Sequence, residues 1–237
     1  FAFLLLCCPA LVSAQGVVSS ADPRASAAGQ EILRKGGSAT DAAMAMMLAL
    51  TVVEPQSSGI GGGGFLLHHD GKTGLIDTID GRETAPASAL PDRFMEANGA
   101  PMPFMQAFAG GKSVGVPGNI ALFAKAHAKW GRLPWAEIFT PAIRLARDGF
   151  AVGDALETAL QRAAPLWTDF PDARAIYWRG GAPAQTGTML TNPALAAFLK
   201  QLAAQGASAF YTGSNAAAIR NVVAQSPVNA ATLTADD

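Results

Sequence analysis

The sequence predicts an α+β fold, and three stretches of the chain support this. Residues 41–52 are apolar almost without interruption, which is typical of a helix buried between layers. Two further apolar runs, 65–69 and 75–79, flank the Asp-Gly pair at 70–71, a combination that favours a β-hairpin. From Asn119 onward the apolar residues return to helical spacing. A strand pair is therefore expected beside a set of helices.

The first predicted elements have clear start and stop residues. Residues 17–19 are expected to form a short strand. A helix is predicted to begin at Asp22-Pro23, because an acid at the cap and a proline in the first turn favour a helix N-terminus. Gly36-Gly37 should end it, and Ser38 or Thr40 should begin the buried second helix.

The second half of the chain is predicted to be mainly helical. Residues 86–112 lack any period and are expected to form a long surface segment near a pocket. Residues 119–130 should form a helix that ends at Gly131. Residues 135–146 are expected to contain two short turns divided at Pro141, because proline disrupts a helix interior. Further helices are predicted at 154–164, 193–204 and 214–224.

The composition indicates a globular chain without a nucleic-acid partner. Of 237 residues, 50% are hydrophobic and 15% charged, which allows a sizeable core. The net charge of -1 and the absence of a basic run argue against a phosphate-backbone partner. Small neutral or zwitterionic substrates remain compatible with this composition.

The N-terminal segment resembles an export signal. Residues 1–12 are continuously apolar, and 12–14 have the small-x-small spacing that a signal peptidase accepts. Residues 1–14 are therefore predicted to be a truncated signal peptide, too short for a stable membrane span, followed by the mature chain 15–237. A periplasmic or secreted location follows from this prediction, and a buried N-terminal strand or helix is the alternative.

No metal or cofactor site is predicted. Cys7 and Cys8 both lie in the signal segment, so the mature chain would have neither a disulfide nor a thiolate site. His68, His69 and His127 do not have metal-ligand spacing, and neighbouring residues of a strand point to opposite faces. These histidines are interpreted as strand or surface residues.

The glycine-rich run at 59–64 is interpreted as a tight turn rather than as a nucleotide site. It formally satisfies GxGxxG. A dinucleotide site needs a strand before the glycines and a helix after them, whereas here a helix precedes and a strand follows. The glycines are expected to adopt positive φ angles and to allow close backbone contact. In a second, functional interpretation, a substrate or a catalytic group from elsewhere also passes close to this backbone.

Arg82 is the candidate substrate-binding residue. It follows the predicted strand 75–79, and its guanidinium offers a planar fork of donors that matches a carboxylate. The alternative is an internal ion pair with Asp80, Glu83 or Glu54. No catalytic nucleophile is predicted in this chain, because no GxSxG, HExxH or Ser-x-x-Lys pattern is present.

Several motifs give the chain a resemblance to the γ-glutamyltransferase (γ-glutamyl transpeptidase) family, specifically to the front portion of its precursor. The most specific are the glycine-rich run and Arg-Glu-Thr-Ala-Pro at 82–86. Others in the same order are 36–43, 53–55, 116–118, 130–131, 134–135, 141–143, 149–150 and 210–213. The resemblance covers nearly everything after the signal, so 15–237 is interpreted as a partial large-subunit region.

This resemblance implies a fold and a chemistry. The family is of the N-terminal nucleophile hydrolase type: an αββα four-layer sandwich, incomplete without the small subunit that the precursor releases by self-cleavage. The exposed threonine would attack the γ-glutamyl amide while its α-amine takes the proton. The glutamyl-threonine ester would then pass to water or to an acceptor. Thr232 and Thr234 do not match the processing site, so the nucleophile is expected outside this chain.

The resemblance also assigns roles and leaves rivals. Arg82 falls where the family's large subunit binds the substrate α-carboxylate. The implied activity is transfer and hydrolysis of glutathione and related γ-glutamyl compounds, with the small subunit as partner and without a cofactor. A related amidohydrolase such as a cephalosporin acylase, or a non-catalytic binding protein on the same scaffold, remains as an alternative.

Overall fold

The computed structural model describes residues 16–237 and confirms the α+β prediction. The predicted signal peptide 1–14 and both cysteines lie outside the described residues. The helices are α1 Pro23–Arg34, α2 Ala39–Val53, α3 Phe104–Phe108, α4 Asn119–Trp130, α5 Trp135–Asp148, α6 Asp154–Ala163, α7 Pro171–Tyr177, α8 Pro193–Gln205, α9 Ser208–Tyr211 and α10 Gly213–Ala224. The strands are β1 Gly64–His69, β2 Ile76–Gly81, β3 Phe150–Ala151, β4 Trp178–Arg179, β5 Ala182–Pro183 and β6 Met189–Leu190.

The predicted starts of the first two helices are confirmed by their caps. The Asp22 side chain accepts a hydrogen bond from the backbone N–H of Arg24, 2.8 Å away. Ser38 caps α2, where its side chain and that of Asp41 form a reciprocal capping box. Gly36 follows α1 with a φ of 89°, which only glycine adopts without strain.

The predicted strand at 17–19 is wrong. This segment has no strand pairing, and Val18 packs against the helical core instead. A Cβ on Gly29 of α1 would lie 3.2 Å from a Val18 methyl group, so the segment runs closely over that helix. A short apolar run such as Val17-Val18 can pack on a helix surface as well as in a sheet, and the local pattern does not distinguish the two.

The helices form the core of the described fold. α2 packs against α1 and α5, and α5 packs against α8. Leu48, Phe139 and Leu199, one from each of α2, α5 and α8, are fully buried. The predicted break at Pro141 is wrong, because α5 continues through this residue. Pro141 is itself fully buried, so packing on both sides compensates for the backbone hydrogen bond that proline cannot make.

The predicted hairpin is confirmed, with a longer connection. β1 and β2 pair antiparallel in a register that joins Gly64 to Gly81 and His69 to Ile76. The loop spans residues 70–75 and closes with a hydrogen bond from the Asp70 nitrogen to the Leu75 oxygen, 2.9 Å. Asp70-Gly71 therefore opens a six-residue loop instead of forming a two-residue turn. Among the described residues, no helix is long and apolar enough to cross a bilayer.

The two faces of the hairpin differ in burial. The inner face packs on α4, with Ile79 buried and Leu66 half-buried. The outer face exposes Phe65, Leu67 and Ile76, which are 70%, 67% and 64% accessible. After β2, residues 86–112 run over the surface as predicted, with α3 as a short helix within them.

Candidate functional site

A groove of about 800 Å³ lies where the chain leaves β2. Its wall is formed by the residues after this strand, by the segment before α4 and by Gly61 of the glycine-rich loop. The predicted surface segment therefore borders the groove, as expected. The lining residues are Gly61, Arg82, Glu83, Thr84, Ala85, Pro86, Ala89, Leu90, Pro91, Arg93, Phe94, Lys112, Ser113, Val114 and Gly115.

Arg82 lines this groove and has a partly committed guanidinium. Its Nε lies 3.2 Å from Oε2 of Glu83, and its side chain is 68% exposed. Its Nη1 and Nη2 make no hydrogen bond with the described residues. The pairing with Glu83 holds one edge of the guanidinium and leaves the terminal fork available for an anion.

The other two candidate ion partners, Asp80 and Glu54, do not pair with the Arg82 guanidinium. Oδ1 of Asp80 accepts a hydrogen bond from the backbone N–H of Arg82, at 2.9 Å. Glu54 accepts a hydrogen bond from Gln56 at 3.4 Å. The internal ion pair thus exists, with Glu83, and it coexists with an accessible fork. That Arg82 binds a substrate carboxylate remains a prediction.

Only a glycine fits at position 63, beside Glu83. A Cβ on Gly63 would lie 2.6 Å from the Glu83 nitrogen and 2.6 Å from the Gly81 oxygen, both of them backbone atoms. The predicted close approach is therefore confirmed at Gly63. At Gly59 and Gly61 a Cβ would meet nothing within 4 Å, so these two glycines border open space.

The predicted positive φ angles of the glycine-rich loop are wrong. None of the five glycines at 59 and 61–64 has a positive φ. What this loop uses is the missing Cβ, which lets its backbone lie directly against the end of β2. The loop connects α2 to β1, so the order of elements is that which argued against a dinucleotide site.

Asn119 clamps the glycine-rich loop, a role that sequence analysis missed. Its Nδ2 donates to the Gly59 oxygen at 2.7 Å, and its backbone N–H donates to the Gly62 oxygen at 3.0 Å. The side chain is buried, with 4% exposure. Sequence analysis treated Asn119 only as the start of a helix. A polar residue directly after Val-Pro-Gly was the available signal, since asparagine caps helices and binds backbone.

Tyr211 fastens the start of α4 from the other side. Its hydroxyl donates to the Pro117 oxygen and accepts from the Ala121 N–H, both at 3.0 Å. Burial raises the pKa of the Tyr211 hydroxyl, although the Ala121 hydrogen bond opposes this, so the phenol stays neutral at physiological pH. The beginning of α4 is thereby fixed beside the groove.

The three histidines lie away from the groove. His68 stacks on Trp130 with ring centroids 4.3 Å apart, His69 is exposed, and Nε2 of His127 lies 2.8 Å from the Leu133 oxygen. The interpretation as strand or surface residues is confirmed for His68 and His69, which belong to β1, and is wrong for His127, which is a half-buried residue of α4. Within residues 16–237, no group of three or more histidine, cysteine or acidic side chains is placed to hold a metal ion.

Comparison with known proteins identifies similar chains. The family model described as gamma-glutamyltranspeptidase matches residues 25–237. The glutathione hydrolase proenzyme of Bacillus subtilis is 38% identical over 90% of this chain and 36% of its own length. Glutathione hydrolase 3 of Arabidopsis thaliana is 42% identical over 85% of this chain and 31% of its own length. The chain thus spans about a third of these relatives.

A solved structure shows the same fold. The crystal structure of Helicobacter pylori gamma-glutamyltranspeptidase superposes with a TM-score of 0.87 at 31% identity, over 94% of this chain and 63% of that one. This match confirms the predicted α+β fold of the N-terminal nucleophile hydrolase type, which the family resemblance implied.

Proposed function

Because this chain belongs to the gamma-glutamyltranspeptidase family, we propose that it forms the carboxylate-binding side of an active site that hydrolyses and transfers γ-glutamyl groups. The supporting observation is that the two terminal nitrogens of Arg82, Nη1 and Nη2, are accessible in the groove. The only acid that lines the groove within the described residues is Glu83. The α-carboxylate of a γ-glutamyl substrate would accept two parallel hydrogen bonds from this fork. Glu83 acts as the positioning residue, because its contact with Nε fixes the plane of the guanidinium.

The proposed reaction needs a nucleophile from the part of the relatives that this chain does not span. A threonine hydroxyl would attack the γ-glutamyl carbonyl carbon, and its α-amine would take the hydroxyl proton and pass it to the leaving amine. The resulting ester would be cleaved by water or by the amine of an acceptor. The role of the present chain is to hold the glutamyl end of the substrate. This binding orients the γ-glutamyl carbonyl toward the nucleophile.

The proposed partner is a small subunit from the same precursor. Support comes from the exposed outer face of the hairpin, where Phe65 and Leu67 of β1 share a face with Ile76 of β2, which lies diagonally opposite Leu67. An apolar sheet face of this kind is stable in water only when another layer covers it. A second sheet on this face would complete an αββα sandwich.

Glutathione is the proposed physiological substrate. Support comes from the relatives, which are named glutathione hydrolases. A cephalosporin acylase or a non-catalytic binding protein on the same scaffold would not hydrolyse glutathione. We further propose that the protein is exported to the periplasm or the medium, and N-terminal sequencing of the mature protein for a start at Gln15 tests this.

The test replaces Arg82 with alanine and with lysine in the complete protein that contains this chain. Arg82→Ala should lower kcat/KM for glutathione by about 30-fold, the effect of losing roughly 2 kcal/mol of charged hydrogen bonding. Arg82→Lys should recover little, because lysine lacks the planar fork. Lys72→Gln, on the exposed hairpin loop, is the matched control and should stay near the parent value. An unchanged kcat/KM in Arg82→Ala would reject the role of Arg82.

A further inference from the structure

Two more cations, Arg93 and Lys112, line the same groove as Arg82. They come from distant parts of the surface segment and meet through one hydrogen bond, from Nε of Arg93 to the backbone oxygen of Lys112 at 2.8 Å. This bond fixes the Arg93 side chain against the short 3-10 turn Gly111–Ser113. Neither residue is predicted from the sequence as a site residue, because nothing in their spacing brings them together.

Neither cation has a carboxylate partner among the described residues. Nη2 of Arg93 is shielded from solvent and Nε is bound to the Lys112 oxygen, so Nη1, which makes no hydrogen bond with the described residues and is not shielded in this way, is the nitrogen left to meet a ligand. The ammonium group of Lys112 makes neither a hydrogen bond nor a salt bridge within residues 16–237, and both side chains are only half-exposed. Half-buried cations without a counter-ion carry a desolvation cost that a bound anion would remove.

The charge of the groove favours a substrate with two negative groups. Three cations, Arg82, Arg93 and Lys112, line the groove together with a single acid. That acid is Glu83, which is already paired with Arg82. The lining therefore has a net charge of +2, and one substrate carboxylate on Arg82 leaves a net charge of +1, with Arg93 and Lys112 still without a counter-ion. A volume of about 800 Å³ is within the range of about 300–1,000 Å³ that holds ligands larger than a single amino acid.

We propose that Arg93 and Lys112 bind a second carboxylate, the one at the C-terminal end of a γ-glutamyl peptide. This inference rests on the proposed function and narrows its substrate class to γ-glutamyl peptides with a free terminal carboxylate. Arg82 holds the carboxylate of the glutamyl residue, and Arg93 with Lys112 holds the one on the leaving side of the scissile bond. An uncharged leaving side, such as an amide, gains nothing from these two cations.

The test uses two substrates that differ only in this carboxylate, γ-glutamylglycine and γ-glutamylglycinamide. In the complete protein the ratio of kcat/KM, acid over amide, should exceed one. In the double variant Arg93→Gln/Lys112→Gln it should fall about tenfold, as for the loss of charged hydrogen bonds that solvent partly screens. Lys112→Arg should keep most of the selectivity, because it keeps the charge. Lys72→Gln controls for the net charge of the protein.

Equilibrium binding makes the test independent of catalysis. Calorimetric titration of both compounds should give the same selectivity, and the same loss in the double variant, even when turnover is absent. Turnover of neither compound would reject the proposed function alone. An acid-to-amide ratio that the double variant leaves unchanged, or an equal loss for both compounds, would overturn the second carboxylate site. An unchanged ratio would mean that Arg93 and Lys112 pair with an acid elsewhere in the protein. An equal loss for both compounds would mean that the two cations stabilise the fold without binding the substrate.

Discussion

Two regions of the molecule differ in the burial of their apolar side chains: the helical layer, formed by α1, α2, α5 and α8, and the hairpin side, formed by β1 and β2. In the helical layer, Leu48 of α2 and Phe139 of α5 have no exposed surface. On the outer face of the hairpin, Phe65 and Leu67 are 70% and 67% exposed although they are equally apolar. The helical layer therefore completes its own core, whereas the hairpin presents a surface that is suited to a further layer.

The join between the two regions is where the groove lies. The glycine-rich loop leaves the buried helix α2, passes under Glu83 and continues directly into β1. Asn119 ties this loop to the start of α4, which also carries the hairpin. The helical layer, which is the closed region, thus supplies a rigid support. The hairpin side, which is the open region, supplies exposed groups such as Arg82. If this division is correct, substitutions in the two regions should differ in kind as well as in size.

The largest effect is expected at Asp41 in the helical layer. Its Oδ2 accepts hydrogen bonds from the backbone N–H groups of Ser38, Arg132 and Leu133 at 2.8, 2.9 and 3.1 Å, and the side chain is fully buried. Asp41→Ala would leave three donors without an acceptor and should lower the free energy of unfolding by about 3–5 kcal/mol. Urea unfolding followed by circular dichroism measures this.

Asp77 on the hairpin is the matched control for Asp41. It forms a salt bridge with Lys129 at 3.1 Å, in which both side chains are about half-exposed. Asp77→Ala should cost less than about 1 kcal/mol, because solvent screens such a pair. Equal losses at the two aspartates would remove the distinction between a closed and an open region.

A smaller effect is expected at the join, from a matched pair of glycines. Gly63→Ala would place a Cβ 2.6 Å from two backbone atoms and should destabilise the protein by about 1–3 kcal/mol. Gly61→Ala would meet nothing within 4 Å, and its φ is not in the left-handed region, so the free energy of unfolding should change by less than about 0.5 kcal/mol. Thermal unfolding of the two variants compares them directly. A similar cost at both positions would show that backbone freedom, rather than space, is what the loop requires.

These glycines also show which features of the loop could be predicted from the sequence. The cluster predicted close backbone contact, and that is correct at Gly63, because the missing Cβ lets the loop backbone lie against Gly81 and Glu83. It did not predict which glycines are crowded, since Gly81 and Glu83 meet the loop only after the hairpin has folded. For the same reason the partner of Asn119 was not predicted: a polar residue after Val-Pro-Gly is a local signal, but Gly59 lies 60 residues away along the chain.

The elements themselves were predicted where the signal is local. Caps such as Asp22 and Ser38, and the apolar face of α4, depend on neighbouring residues and were placed correctly. Pro141 was misjudged because burial between helices, a property of the whole fold, outweighs its local preference. In the groove, Arg82 was found through its motif, whereas Arg93 and Lys112 meet only through the path of an irregular segment.

A third prediction concerns Glu31, which links α1 to α5 at the edge of the helical layer. Its Oε2 accepts a hydrogen bond from Arg144 at 2.6 Å, and Lys35 lies 3.3 Å from its Oε1. The Arg144 hydrogen bond is the main cause that holds the pKa of Glu31 below its usual value, against an opposing effect of partial burial. Glu31→Gln should cost about 0.5–1 kcal/mol at pH 7, because Arg144 is half-exposed.

The pH dependence of this cost has a defined sign. Since the folded pKa is the lower one, the contribution of Glu31 is complete above the unfolded value of about 4.3 and disappears as the pH falls through the folded pKa. The difference between the parent and Glu31→Gln should therefore be constant from pH 7 to about 5 and shrink below that. Glu96→Gln, on an exposed residue of the surface segment, is the control. A difference that grows on acidification would contradict the assigned direction.

The smallest change in stability is expected where the most apolar surface is exposed. Phe65→Thr, Leu67→Thr and Ile76→Thr together should alter the free energy of unfolding by less than about 0.5 kcal/mol, because these side chains gain little from folding. They should nevertheless reduce the binding of a hydrophobic dye to the 237-residue chain by roughly half, since they remove three exposed apolar side chains from the outer face of the hairpin. Leu66→Thr on the inner face is the control, and it should cost stability without reducing dye binding. A parent chain that melts cooperatively as a monomer and binds no dye would mean that this face needs no cover, and the division between closed and open regions would then not extend to the hairpin.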